Sequence, residues 1–544
     1  MGVSVADRSA RTRTSRAQYA THYGSVMTEP GTETGSETGM TAAAVAGFQP
    51  EWMLTPVDRD SVAVTFGDVS MSWRDVELRG RRVARALDGA GVATGAVWGV
   101  LAHNGLEWVE LTLGNVRAGA RIVPLNWHLT AIEVAALLTD SGCQLIITDE
   151  SLSDVAREAA SIAGVDRVIE LGPEYEAWLD GAGDALLTDR QAGSPMLFTG
   201  GTTGRSKGVT RSEVAADIAA WPEMWSRWGT FVRMPDEGTA LVTTPLYHAL
   251  GTAVMGAALA KGLSVVIAGR FDPEGTLALI EQHRITSGPM VPTQFIRMLK
   301  LPDEVRARYD LSSLRWILHT AAPCPAWAKV AMIDWFGPVI YEMYGSSEGT
   351  GPAICDSHEW LAHPGTVGKA SPRIEYSIVD DGGNDLPAGE VGTIYCKRAD
   401  GAPEYHGDPD KTASMQLPDG RFTVGDLGWL DEDGFLYLAD RRVDLILVAG
   451  SNVYPAEIEA VLIEHPSVAD AAAFGIPDTD MGEQVKAVLE PADGIEIDVD
   501  AIAAFAAERL AKYKLPKSYD IVDALPREAH GKLKKRLLRD PYWT

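Results

Sequence analysis

The segment LFTGGTTGRSKGV, residues 197–209, carries the clearest chemical signal: a short apolar run enters a loop of glycine and threonine that ends in Lys207. Gly200, Gly201 and Gly204 let backbone N–H groups close on oxyanions, and the hydroxyls of Thr199, Thr202 and Thr203 add donors. Lys207 adds a mobile positive charge, so the string suits a polyphosphate. Its spacing is not GxxxxGK followed by Ser or Thr, so the nucleotide need not be held as in a P-loop NTPase. A single Gly-Thr pair would be an ordinary surface loop; the whole string is harder to explain that way.

Further strings follow in order: MYGSSEG (343–349), FTVGDLGWLDEDGFLYLADRRVDLILVAGSNVYPAEIE (422–459) and LPREAHGKLKKR (525–536). With the Gly-Thr loop they resemble the phosphate-loop, YGxTE, TGD-and-hinge and PxxxxGK motifs of the adenylate-forming superfamily. That superfamily contains acyl-CoA synthetases, peptide-synthetase adenylation domains and luciferases. The usual phosphate loop reads TSGTTGxPKG; here Gly200 stands for the serine and Ser206 for the proline. The resemblance covers nearly everything after the first 45 residues.

The chemistry so implied is attack of a carboxylate on the α-phosphate of ATP, which brings two anions together and needs cations and alignment. By resemblance, Glu348 is catalytic and holds Mg²⁺ as a hard carboxylate should, with Ser347 beside it on phosphate. Tyr344 would stack on adenine, next to Gly345 and Ser346, while Ala321, Ala322 and Pro323 line the base. Asp426 would accept both ribose hydroxyls, and Arg441 would reach the ribose and phosphate side. His248, in PLYHALG, matches a gate beside the reacting carboxylate, and Lys532 would bridge carboxylate and α-phosphate. Coenzyme A would then enter past AGSNVYP (449–455), where Gly450 lets the pantetheine arm come close. Each residue alone has a plainer use: Asp426 a solvated turn, Lys532 a basic tail, Tyr344 core, His248 a satisfied buried histidine. Their joint order and spacing outweigh that.

The elements that must position these residues read as α/β; short apolar runs such as GAVWGVLAHN, CQLIITDE and LSVVIAG alternate with helical patterns from Phe48 to about Asp440. Residues 77–92 space Val83, Ala86, Leu87 and Ala90 as an amphipathic helix stopped by Gly91. Near residue 374 the texture changes to strands with Asp-Gly and Pro-Ala-Gly turns, a small antiparallel section. After Arg441 comes a compact unit with a helix from Pro455, strand-like AAAFGIP and VKAVLE, and a helix over about 499–510. The expected organisation is a leader over 1–45, a large N-terminal domain of layered sheets plus a small β-section over 46–441, and a small mobile α+β domain over 442–544. By resemblance the pivot would be Arg441-Arg442-Val443-Asp444, with Val443, a β-branched and stiff residue, where the family usually has Asp or Lys. The leader is rich in Ser, Thr, Gly, Ala and Arg, reads as disordered, and offers Met27 and Met40 as alternative starts.

With 544 residues, 46% of them hydrophobic, the chain can bury a large core and still shape a cleft. A net charge of −27 repels a nucleic-acid backbone but leaves small phosphorylated ligands open. Cys143, Cys324, Cys355 and Cys396 form no CxxC pair, against a zinc site or disulfide framework and in keeping with a reducing cytoplasm. The most apolar stretch, 253–271, is broken by Lys261 and Arg270, short of the roughly 20 residues of a membrane span.

No carrier-domain serine motif follows PYWT, and the SKL ending common among luciferases is absent. Segments 290–302, 319–338 and 356–370 look most like actinobacterial fatty-acyl, steroid-acid and bile-acid CoA ligases, which implies a bulky hydrophobic, even polycyclic, acid. AAWPEMWSRWG (219–229) could supply aromatic surface to its pocket or form a helix–helix seam. Ser206, Val424, Ser347 and Val443 depart from nucleotide or hinge motifs, so a ligase impaired in adenylation that uses a supplied acyl-adenylate stays open. So do transfer to a carrier protein or amine, a non-catalytic nucleotide-binding subunit, and a homodimer.

Overall fold

The computed structural model describes residues 48–188, 190–199, 207–210, 217–346, 352–398, 401–402, 404–405, 409–441, 444–448, 451–478, 481–527 and 532–543. Its contacts divide the chain into two compact units. One runs to Arg270 except for 209–211 and Phe231–Pro235; the other takes those stretches and everything from Phe271 onward. The architecture is mixed α/β, with layered sheets over most of the chain and a smaller α+β section at its end.

In the first unit a parallel sheet runs in the order Arg167–Glu170, Cys143–Thr148, Val97–Leu101, Arg121–Pro124 and Ser194–Pro195. Val97–Leu101 is buried along its length, as a central parallel strand covered on both faces must be. A second set of strands, Thr239–Val242, Ser264–Ile267 and Val62–Phe66, is also parallel, and Val69–Ser72 closes its edge antiparallel.

The helix expected over 77–92 starts earlier, at Trp73, because Ser72 and Asp75 form a capping box. It ends at Gly89, and Gly91 follows with φ +84°, where a side chain would be strained. Beneath it the buried carboxylate of Glu110 takes hydrogen bonds from Arg79 at 2.9 Å and the Tyr175 hydroxyl at 2.6 Å, so a charge in the core is fully met.

In the second unit, Ser287–Met290, Trp316–His319 and Ile340–Tyr344 run parallel. The sheet then continues antiparallel through Ala353–Cys355, Thr366–Ala370, Leu436–Arg441, Asp426–Leu430, Gly392–Arg398 and Ile374–Val379. This is the antiparallel texture legible from residue 374. The terminal section pairs Val468–Asp478 with Gly482–Pro491 over a long antiparallel ladder, with Ser518–Ile521 added in parallel. The helix Pro455–Glu464 begins at its proline, and Val499–Ala507 ends a turn sooner than its apolar pattern suggests. Both cover a core of Ile446, Leu462, Val485 and Leu489 that also takes in Ile296 and Ala328.

Candidate active site

Open parallel sheets bind ligands past the carboxyl ends of their strands, where loops and helix N-termini converge. His248 stands past the carboxyl end of Thr239–Val242 and immediately before the helix Ala249–Lys261. Its N–H donates to the Pro245 carbonyl at 3.1 Å, and its ring lies 4.2 Å from that of Tyr247. Asn104 holds the turn leading to it. The Asn104 amide donates to the carbonyls of Thr244 at 3.1 Å and Ala268 at 3.0 Å, and its oxygen accepts the Leu246 N–H at 2.8 Å. Gly251 lets the helix start so close, since a Cβ there would lie 2.9 Å from the Pro245 carbonyl.

Sequence reasoning missed Asn104, although an asparagine three residues past the strand Val97–Leu101 was a usable signal. It also missed the aromatic group beside Tyr247: Trp127 meets Tyr247 edge-on at 6.3 Å and is flanked by His103 at 4.6 Å and His128 at 3.6 Å. Burial opposes ionisation of the neighbouring Asp149, but hydrogen bonds from His103 and Ser151 outweigh it and hold the carboxyl below its ordinary value.

In the second unit, Trp316–His319 and Ile340–Tyr344 are adjacent parallel strands, so the loop of Ala321, Ala322 and Pro323 and the turn at Gly345 and Ser346 emerge side by side. Ala321 holds φ +78°, a left-handed conformation rare for a residue with a Cβ. Tyr344 is buried, and its hydroxyl donates to the Asp426 carboxylate at 2.7 Å, which joins two residues 82 apart in sequence. Asp426 is buried too, and its backbone stands opposite Arg441 in the antiparallel pair Asp426–Leu430 and Leu436–Arg441. Tyr376 packs 6.3 Å from Tyr344, and burial drives its hydroxyl well above the ordinary tyrosine value, so it stays protonated.

Lys532 lies next to Leu533, whose backbone bridges to Arg527 and whose side chain packs with Phe474 and Leu525 of the terminal section. Thr199 closes the strand Leu197–Thr199 and Lys207 opens Lys207–Thr210; only their backbones are described. Gly200, Gly201, Thr202, Thr203, Gly204, Ser206, Ser347, Glu348, Val443 and Gly450 lie outside the described residues. Among the described residues no cluster of three or more His, Cys, Asp or Glu is arranged to hold a metal, and the four cysteines are free. Of the two uses open to residues 219–229, Trp225 takes the helix–helix contact: it lies over Gly256 of Ala249–Lys261, where a Cβ would stand 3.1 Å from the indole.

Residues 55–406 match the AMP-binding enzyme family and residues 457–532 the AMP-binding enzyme C-terminal domain. The chain belongs to this family, whose members form adenylates; it is an AMP-forming acid–thiol ligase of the acyl-CoA synthetase branch. A fatty acid–acyl-carrier-protein ligase of Streptomyces coeruleorubidus is 33% identical, covering 87% of this chain and 92% of its own. A CoA ligase of Rhodococcus jostii, named for a methyl-dioxo-octahydroindenyl propanoyl group, is 31% identical over 88% of this chain and 95% of its own. The ATP-bound structure of MatB from Rhodopseudomonas palustris is 30% identical, with a TM-score of 0.76 over 89% of this chain and 96% of that one.

Proposed function

We propose that this ligase activates a bulky hydrophobic carboxylic acid, of fused-ring type, and transfers its acyl group to coenzyme A. The observation that carries the adenylating part is the buried Tyr344–Asp426 hydrogen bond, between the last residue of Ile340–Tyr344 and the first of Asp426–Leu430. The carboxylate oxygen attacks the α-phosphorus of ATP and pyrophosphate leaves; the thiol sulfur of coenzyme A then attacks the acyl carbonyl and AMP leaves. Tyr344 offers its ring to adenine while its hydroxyl orients Asp426 toward the ribose, with Ala321, Ala322, Pro323, Gly345 and Ser346 around the base and Arg441 on the ribose side. The Gly-Thr loop from Thr199 to Lys207 cradles the phosphates. Glu348, a single hard carboxylate beside Ser347, suits Mg²⁺, which supplies charge neutralisation when bound.

In this reading residues 442–544 move about the pivot after Arg441, alternately presenting Lys532 to the α-phosphate and Gly450 to the pantetheine arm. His248, fixed through Asn104, borders the reacting carboxylate. The fused-ring substrate is supported by the Rhodococcus relative, and the cytoplasm is the expected compartment. A second reading, delivery of the acyl group to a carrier protein, is favoured by the Streptomyces relative.

The test follows pyrophosphate release with ATP, and thioester formation with coenzyme A, on a panel of fatty, aryl and fused-ring acids. Both signals on one fused-ring acid are expected. Thioester only from a pre-made acyl-adenylate would show that the altered motifs have removed the first half-reaction. Pyrophosphate release without any coenzyme A thioester would favour the carrier-protein reading. In the same assays Lys532→Ala is expected to slow adenylation on the order of 100-fold and largely spare thioester formation; no effect on either half-reaction would remove Lys532 from the adenylating step.

A further inference from the structure

A charged cluster that the reaction above leaves unused lies under the nucleotide edge. Lys329 projects from the helix Ala326–Phe336 and is almost wholly buried, at 1% exposure. Its ammonium donates to the Glu342 carboxylate at 2.8 Å and to His319 Nε2 at 2.5 Å, and stands 5.4 Å over the ring of Trp360. His319 and Glu342 face each other in the last rung of their parallel strands. Immediately past that rung the chain enters the strained Ala321 loop on one side, and two residues on reaches Tyr344 on the other.

Because Lys329 has only protons to give, His319 Nε2 accepts and the ring proton sits on Nδ1, the neutral tautomer. That Nδ1 is buried with no hydrogen-bond partner among the described residues. Burial, reinforced by the Lys329 charge, pushes His319 well below its ordinary value, in keeping with a neutral ring. A buried lysine–carboxylate pair seldom adds stability over apolar residues of the same volume, because desolvation offsets its Coulomb attraction. What it does impose is fixed geometry.

We propose that Lys329, Glu342 and His319 are positioning residues for the adenine side of the nucleotide site: one ammonium ties together the two strand ends that present the 320–323 loop and Tyr344. The inference rests on the adenylating reading above. It requires nucleotide affinity to depend on the cluster beyond what stability alone dictates, since loosening the rung lets the Ala321 loop relax and shifts Tyr344.

The test is K329M/E342Q, which removes both charges and so avoids an unpaired buried ion, measured beside wild type and V83A. Val83 is buried in a helix of the first unit, and its truncation lowers stability without touching this edge. Thermal unfolding, AMP binding by calorimetry, and KM and kcat for ATP and coenzyme A are compared. Expected for K329M/E342Q are a folded protein, AMP affinity and KM for ATP each weakened about tenfold, an unchanged KM for coenzyme A, and V83A normal in all binding. Wild-type AMP affinity in the folded double variant would overturn the inference, as would equal losses in V83A. A wild-type protein that binds no AMP would instead remove the adenylating reading, and this inference with it.

Discussion

Tyr344 and Asp426 meet through one hydrogen bond whose acceptor is buried, so the bond should be worth more than a surface contact. Tyr344→Phe leaves Asp426 without that donor, and a lower unfolding free energy by about 1.5–3 kcal/mol is expected in urea titrations. An unchanged midpoint would mean that another donor takes over. His319 makes a prediction about pH. Burial first, then Lys329, holds its folded pKa well below 6.5, with Glu342 the facing carboxylate and Cys324 nearby. The unfolded chain therefore gains a proton near pH 6.5 that the folded chain refuses, so this group costs stability as pH falls below about 6.5, by up to about 1.4 kcal/mol per pH unit. His319→Asn should flatten that slope between about pH 5 and 6.5; parallel curves for wild type and variant would contradict it. At Ala321 a glycine relieves the left-handed backbone, and Ala321→Gly is expected to raise stability by roughly 0.5–1 kcal/mol.

At the scale of elements, the turn before Ala249–Lys261 depends on a side chain from elsewhere. Asn104 satisfies two carbonyls and one N–H of segments around residues 244 to 268, and so sets where His248 begins its helix. Asn104→Ala should cost about 1–3 kcal/mol, the penalty of buried backbone groups left unmet. If His248 borders the reacting carboxylate, the same variant lowers kcat while leaving KM for ATP unchanged. A fall in ATP affinity instead would place the turn on the nucleotide. The seam between Ala220–Phe231 and Ala249–Lys261 is built similarly from complementary sizes, with Gly256 making room for Trp225. That indole is therefore used in packing, the plainer of the two readings its sequence allowed.

On the scale of the whole molecule, the terminal section rests on helices of the second unit through Ile296 and Ala328, and Lys300 donates to the Val468 carbonyl at 2.7 Å. Burial depresses the Lys300 pKa, so this lysine is held in place by the carbonyls it meets against the cost of desolvation. Lys300→Ala should loosen that attachment and speed limited proteolysis near residue 441 by roughly tenfold, the factor corresponding to one charge-assisted hydrogen bond. An unchanged cleavage rate would assign the attachment to the apolar contacts alone. Among the described residues no helix is long and apolar enough to cross a membrane.

The alternation of strands and helices, the antiparallel texture after residue 374, the start of a helix at Pro455, and the family were all legible in the sequence. Side-chain periodicity, turn residues and proline act over a few positions, and motifs keep their order along the chain. What the sequence could not supply was the identity of partners: that the Tyr344 hydroxyl meets Asp426, that Asn104 reaches Ala268 across 164 residues, that one lysine joins His319 and Glu342. Those contacts depend on which strands become neighbours and in what register. That is settled by packing the whole chain, so only the tertiary structure decided how the residues that can do chemistry are held.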